Sequence, residues 1–475
     1  MSTGARTVIA ALLSAATVVT APAAHGGTSL VMGGTLNPLQ VPPQSSDWVG
    51  YYSISMSDRY VRETGLCGAQ CTQTAVYTPE EIGWLSGLFS MSFNASVAAG
   101  AANLDDCVRG IACRVTQAPY TATATAQLTD SNYVIFGYSQ SATIAGKEKA
   151  TLIADPSTAT VSIVMLANPN RPDGGILARV PGVYVPFLGV TFNGATPTDS
   201  PRSAPITTVD VAGQYDPISD SPDNPFNLLT WINALAAYYL VHLQPLGIGA
   251  PELQGQYQDS TYYLIPAPTL PMLIPVAAIP LIGPLIAAVL DPPLRVLIET
   301  AYDRTVNPGT PTMANPLYIA NPFTVLADFL TAIPTGWDNG IAYVSGDPSN
   351  RPFGTTAPGP YGVGGPPVYT SAVDPYGPPT PYTPPEQSTA SATANPLRRK
   401  VSLDAGARLV QERQDQAGEQ FGAFDLGHVP DAGQQVHLGV REDPAGLVDV
   451  VGRQDTVGFA PHHQRGPRVQ RGEGR

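Results

Sequence analysis

The sequence predicts an α/β fold built on a parallel sheet. Three observations predict it. Four short apolar or β-branched runs are each closed by a turn former. A helix-forming stretch separates the second and third runs at the spacing of a strand–helix–strand unit. The chain is 43% hydrophobic and only 13% charged over 475 residues, which suits one large core or two smaller ones and not a disordered polyelectrolyte.

The elements follow in order. Met1 to Ala23 holds one positive charge at Arg6, an apolar run from Thr7 to Thr20, and Ala21-Pro22-Ala23 at A-x-A spacing. This reads as a secretory signal peptide over 1–23. The run falls short of the roughly 20 residues that span a bilayer. The alternative is an uncleaved anchor, and either reading places the following domain outside the cytoplasm. Four cysteines, Cys67, Cys71, Cys107 and Cys113, fit that compartment as disulfides. Three pairings are open, and the two local bridges are favoured. A zinc site made from all four is the rival, and no metal is expected.

Ser29-Leu-Val-Met32 is the first strand, ended by Gly33-Gly34-Thr35. Tyr133 to Phe136 is the second, ended by Gly137. Ser141 to Asp155 is the helix, Val161 to Leu166 the third strand, and Ile206 to Val211 the fourth. In such sheets the chemistry gathers at the carboxyl ends of the strands.

The second strand runs into Gly137-Tyr138-Ser139-Gln140-Ser141-Ala142, a Gly-x-Ser-x-small sequence between strand and helix. A serine there sits on a sharp turn with its hydroxyl presented, and its neighbours two residues away must be small because strand and helix nearly touch. Such a serine needs a base. Of six histidines, five lie towards the termini, and His242 is the only one inside the domain downstream of Ser139. The acid should fall between them in the chain. Asp216 follows the fourth strand and is chosen by that placement. Asp210 lies within the strand and should be paired, while Asp220 and Asp223 read as helix caps. The oxyanion hole needs two backbone N–H donors. Gln140 supplies one, and the Gly33-Gly34-Thr35 turn is the best source of the other, with an ordinary tight turn as the alternative.

Thr261 to Leu290 carries no charge and has prolines at 266, 268, 271, 275, 280 and 284. That density excludes a spanning helix. The segment reads as a lid-like insertion over the serine, with a buried crossover as the plainer alternative. Eleven prolines from Pro352 to Pro385 mark a Pro/Gly/Tyr-rich linker over 351–395. The last segment, 396–475, lacks runs able to form a core and is expected to be disordered. Its eleven basic and eleven acidic residues cancel, so the whole net charge of −13 belongs to the first 395 residues. That balance argues against a nucleic-acid partner. The domain itself is expected over 24–350.

These residues together resemble the PE-PPE domain family, mycobacterial serine hydrolases of α/β-hydrolase fold related to cutinases. The matching pieces are Leu30-Val-Met-Gly-Gly-Thr35, Gly137-Tyr-Ser-Gln-Ser141, Tyr215-Asp216, Val241-His242 and the run from Pro293 to Arg304. The resemblance implies Ser139, Asp216 and His242 as the catalytic triad, and the Gly-Gly-Thr turn looks like the cutinase oxyanion turn, which places Thr35 beside Gln140. The signal-bearing subgroup, which the chain resembles most, includes acyltransferases building trehalose glycolipids. The expected activity is therefore a secreted serine hydrolase of acyl esters that uses no cofactor. An acyltransferase acting on trehalose-type glycolipids and a catalytically silent envelope-binding protein are the alternatives. The expected partners are an acyl ester or glycolipid substrate and a cell-envelope lipid surface.

Overall fold

The computed structural model describes residues 26–68, 71–247 and 249–365. The expected signal peptide and the tail over 396–475 lie outside the described residues, as does the linker from 366 onward.

Eleven strands are present among the described residues: β1 (Thr28–Val31), β2 (Thr72–Val76), β3 (Ala112–Gln117), β4 (Ala124–Gln127), β5 (Asn132–Tyr138), β6 (Thr160–Leu166), β7 (Tyr184–Val185), β8 (Val190–Thr191), β9 (Thr208–Gly213), β10 (Glu252–Tyr257) and β11 (Ser260–Ile265). The helices are α1 (Ser46–Met56), α2 (Phe93–Val108), α3 (Gln140–Ala154), α4 (Ile176–Arg179), α5 (Leu228–Ala237), α6 (Ile274–Ala277), α7 (Gly283–Glu299) and α8 (Pro322–Ser345). Nine strands form one sheet in the order β10-β11-β9-β6-β5-β1-β2-β3-β4. The six from β11 to β2 run parallel, while β10, β3 and β4 add antiparallel edges. The α/β class read from the sequence is the observed one.

The central strands are apolar on both faces because helices cover both. Successive side chains alternate between two cores. Leu30, Ile135 and Ile163 pack with Val97, Leu104 and Ile144 on the α2–α3 side. Val31, Val134, Phe136 and Val164 pack with Val49, Tyr52 and Met56 on the α1 side. Each such fully buried side chain stabilises the fold by about 1.5–3 kcal/mol. A third core joins Tyr215, Ala237, Leu270, Leu273 and Ile298 beneath α5 and α7.

The cysteines form the two local bridges, Cys67–Cys71 and Cys107–Cys113. The four-cysteine zinc alternative is thereby excluded, and no group able to hold a metal ion occurs among the described residues. No helix among the described residues is long and apolar enough to cross a membrane.

Three expectations are corrected. The lid-like insertion does not begin at Thr261. Ser260–Ile265 is a sheet strand paired in parallel with β9, and its Tyr262 and Leu264 are buried. Its apolar, uncharged character serves the sheet core. From Ala267 to Ile298 the chain instead buttresses α5, where Met272 N donates to Asn233 Oδ1 (3.2 Å). The domain does not stop at 350. Tyr361 is buried against Ala212 and Leu264, and the Pro360 carbonyl accepts from Gln214 and Arg295. Residues 351–365 therefore belong to the fold and not to a linker, because the Tyr361 ring finds a polar and apolar seat at the sheet end. Asp220 and Asp223 cap no helix. Asp220 holds the Arg304 guanidinium and the Tyr215 N–H, and Asp223 pairs with Arg179. Asn227 caps α5 instead.

Candidate active site

Ser139 stands between β5 and α3, in the turn the sequence predicts. Its backbone has φ 57° and ψ −118°, a conformation that side chains adopt only when the surroundings force it. Gly137 permits the turn, since a Cβ there would lie 2.5 Å from the Ser141 carbonyl oxygen. Ser141 does more than fit in place of a second glycine. Its Oγ accepts the Tyr138 N–H (2.8 Å) and donates to the Tyr138 carbonyl (3.1 Å), which stitches the turn shut.

Ser139 Oγ lies 2.9 Å from His242 Nε2, and His242 Nδ1 lies 2.9 Å from Asp216 Oδ2. All three side chains are buried. Asp216 sits in the turn after β9, where Ser219 Oγ donates to its Oδ2 and the Ile218 N–H to its Oδ1. These bonds fix the carboxylate plane toward the imidazole. Asp210 is paired within its strand to Arg171 and Asn168, as its position suggested.

His242 ends a wide turn that follows α5, in which the Leu243 N–H reaches the Tyr238 carbonyl (3.1 Å) five residues back. Such turns shift the register of a helix and re-aim a side chain. The imidazole lies between two rings, stacked on Tyr238 (5.2 Å, 13°) and tilted against Tyr138 (5.5 Å, 31°). The Tyr138 hydroxyl also donates to the His242 carbonyl oxygen. Neither tyrosine was singled out from the sequence. The only available signal was Tyr238 standing four residues before His242, the spacing of neighbours on a helix.

The structure brings Thr35 and Gln140 together. Thr35 Oγ1 donates to Gln140 Oε1 (2.9 Å), and Gln140 Nε2 donates to the Glu81 carbonyl and to Ser96 Oγ (3.0 Å each). Gln140 opens α3, so its N–H has no partner within the helix. Gly34 presses on Tyr138, whose Cδ1 would lie 2.9 Å from a Cβ there. Behind this loop the Leu36 N–H donates to the Glu80 carbonyl (2.8 Å). Burial pushes the Glu80 carboxyl well above the usual carboxylate range, against a Thr78 hydroxyl bond that lowers it. The loop thus leans on the backbone of Glu80, a residue that sequence reasoning missed. Serine, imidazole and carboxylate in hydrogen-bonded series form a set able to carry out acyl transfer.

The family comparison agrees with this architecture. The PE-PPE domain model matches residues 69–303. The chain is a PE-PPE domain protein. Relatives from Mycobacterium tuberculosis include the uncharacterized PPE family protein PPE42, 34% identical over 60% of this chain and 46% of that protein. Esterase PE16 is 34% identical over 63% of this chain and 53% of its own length. SL1278 acyltransferase Chp1 is 26% identical over 52% of this chain and 56% of its own. The chain spans about half the length of the curated relatives it matches. No solved structure matches it.

Proposed function

We propose that this PE-PPE protein is a serine hydrolase of acyl esters that works outside the cytoplasm. The observation that carries the reading is the unbroken series Ser139 Oγ–His242 Nε2 and His242 Nδ1–Asp216, with Ser139 held in its forced turn. The name of esterase PE16 supports the reaction class. The two disulfides support an oxidising compartment, as does the signal-peptide character of residues 1–23.

In this mechanism Ser139 Oγ attacks the ester carbonyl while its proton passes to His242 Nε2. Asp216 accepts the His242 Nδ1–H bond, keeps the tautomer and stabilises the imidazolium. The Gln140 and Thr35 N–H groups receive the oxyanion of the tetrahedral intermediate. His242 returns its proton to the departing alcohol oxygen as the carbon–oxygen bond breaks, leaving the acyl group on Ser139. A water then attacks with His242 as base, and the acid departs as Ser139 recovers its proton.

A second reading replaces water with a sugar hydroxyl. The acyltransferase name of Chp1 favours it. Hydrolysis ranks first because it needs no acceptor site. Labelling with a fluorophosphonate probe, lost in Ser139→Ala and in His242→Ala, tests the first reading. Equal labelling of both variants, or none of the parent, would leave an envelope-binding protein that keeps the fold. Incubation with an acylated trehalose donor and free trehalose tests the second, which fails if free fatty acid is the sole product.

A further inference from the structure

The helix that leads to His242 is inside out. At 100° per residue, Leu228, Ile232, Leu235 and Tyr239 fall within an arc of about 60°. They are 74, 48, 60 and 58% exposed. The opposite face of α5 buries Thr230 and Asn233 with Ala234 and Ala237. There Thr230 Oγ1 donates to the Ile298 carbonyl (3.0 Å), and Asn233 Oδ1 receives the Met272 N–H. A helix in water turns its apolar stripe inward, and this one does the reverse.

A second helix repeats the inversion. In α8, Phe323, Leu326, Leu330, Ile333 and Trp337 are exposed. Its buried residues include Thr335, Gly336 and Asp338, and Asp338 is turned in to accept the Phe353 and Thr355 N–H groups. The surrounding sequence is free of charge. No Asp, Glu, Lys or Arg occurs in 226–251, 260–290 or 305–327, although the chain carries −13 overall.

We propose that the outward faces of α5 and α8 seat the protein on a lipid surface of uncharged headgroups. The proposal rests on the ester-hydrolase reading and names how that site meets its substrate. Exposed apolar area of this extent marks an interaction surface. An anionic surface would be repelled by the acidic chain and would find no Lys or Arg here to hold its phosphates. Packed neutral lipid needs neither, since apolar insertion alone supplies the attraction. The α5 stripe continues through the wide turn, where Tyr239 and Leu243 (49% exposed) flank His242. A lipid layer against this stripe meets the protein at the rim of the Ser139 site. An acyl ester can then pass from the layer to the serine without crossing water.

The test is flotation of the full chain with vesicles, using Ser139→Ala to prevent turnover. Phosphatidylcholine and phosphatidylglycerol vesicles are compared at low and at 1 M salt. The expected result is binding to phosphatidylcholine that salt does not remove. The double variant Ile232→Glu, Leu235→Glu, made in the parent chain as well, should weaken binding tenfold or more. Its melting temperature and its hydrolysis of a short soluble ester should stay unchanged, because both positions are exposed. Flotation with phosphatidylglycerol alone, lost in salt, overturns the proposal. So does equal flotation of the double variant. An unbound parent that forms a dimer which the double variant dissolves also overturns it, and assigns the face to a second copy of the chain. Failure to hydrolyse the soluble ester would strike the enzymatic reading alone, since flotation is read without turnover.

Discussion

The Tyr238 ring lies almost flat against the His242 imidazole, with centroids 5.2 Å and planes 13° apart. The stack and the Asp216 bond together fix the imidazole about both of its side-chain torsions. Tyr238→Phe keeps the ring and should retain nearly full activity. Tyr238→Ala frees the imidazole to tilt, and kcat should fall by about tenfold or more with KM little changed, as expected when a base loses its alignment. Equal kcat values for the two variants would show that Asp216 alone sets the ring.

Gly34 should not tolerate a side chain. Its Cβ would meet Tyr138 at 2.9 Å, and Tyr138 cannot yield because its hydroxyl is tied to the His242 carbonyl. The loop bearing Thr35 must move instead. Gly34→Ala should lower kcat/KM by about 100-fold, the scale of one lost oxyanion donor. Steady-state kinetics on a short soluble ester checks this.

A buried acid sets the pH response of stability. Burial first, then the negative charge of Asp105, pushes the Glu148 carboxyl up to about 8, while Arg109 opposes the shift. The folded chain therefore keeps a proton that the unfolded chain releases near 4.5. Stability on this account is full below the unfolded value and is lost as pH rises through about 8. Glu148→Gln removes the loss. Its advantage over the parent should grow from pH 5 to pH 9 by on the order of 3 kcal/mol. Urea unfolding at the two pH values measures it, and a constant difference would mean that Glu148 does not titrate on folding.

The true end of the domain can be located by truncation. Ending the chain after Pro385 should leave melting and ester hydrolysis unchanged, because no core-forming run lies beyond it. Ending it after Asn350 removes Tyr361 from its seat, along with the Pro360 carbonyl that accepts from Arg295 and Gln214. That loss should cost about 3 kcal/mol or more, the scale of removing a buried aromatic. Differential scanning calorimetry of the two truncations separates them.

The strands legible in the sequence are those buried on both faces. β1, β5, β6 and β9 are mostly apolar or β-branched because helices cover them above and below, and the one charge among them, Asp210, is paired. β2, β3 and β4 read Thr-Gln-Thr-Ala-Val, Ala-Cys-Arg-Val-Thr-Gln and Ala-Thr-Ala-Gln. They lie toward one end of the sheet, keep polar side chains on exposed positions, and carry too weak an alternation to be found. β11 was hidden in the opposite way, since its uncharged run merged with the helices behind it. In the site, Ser139, Asp216 and His242 were legible through a turn motif and chain order. Tyr138, Ser219 and Glu80 were not. They act by touching neighbours that folding brings to them, and no spacing records that.

One residue ties together both sides of the proposed oxyanion hole. The Gln140 backbone offers a donor, while its side chain is riveted to Thr35, to Ser96 and to the Glu81 carbonyl. The two donors thus behave as the tines of one fork, already set at rest. Product formation should begin without a lag, because no arm has to swing shut before chemistry. Selection among esters then falls to the rim that the substrate crosses, and variation there can retune what enters while the fork stays as it is.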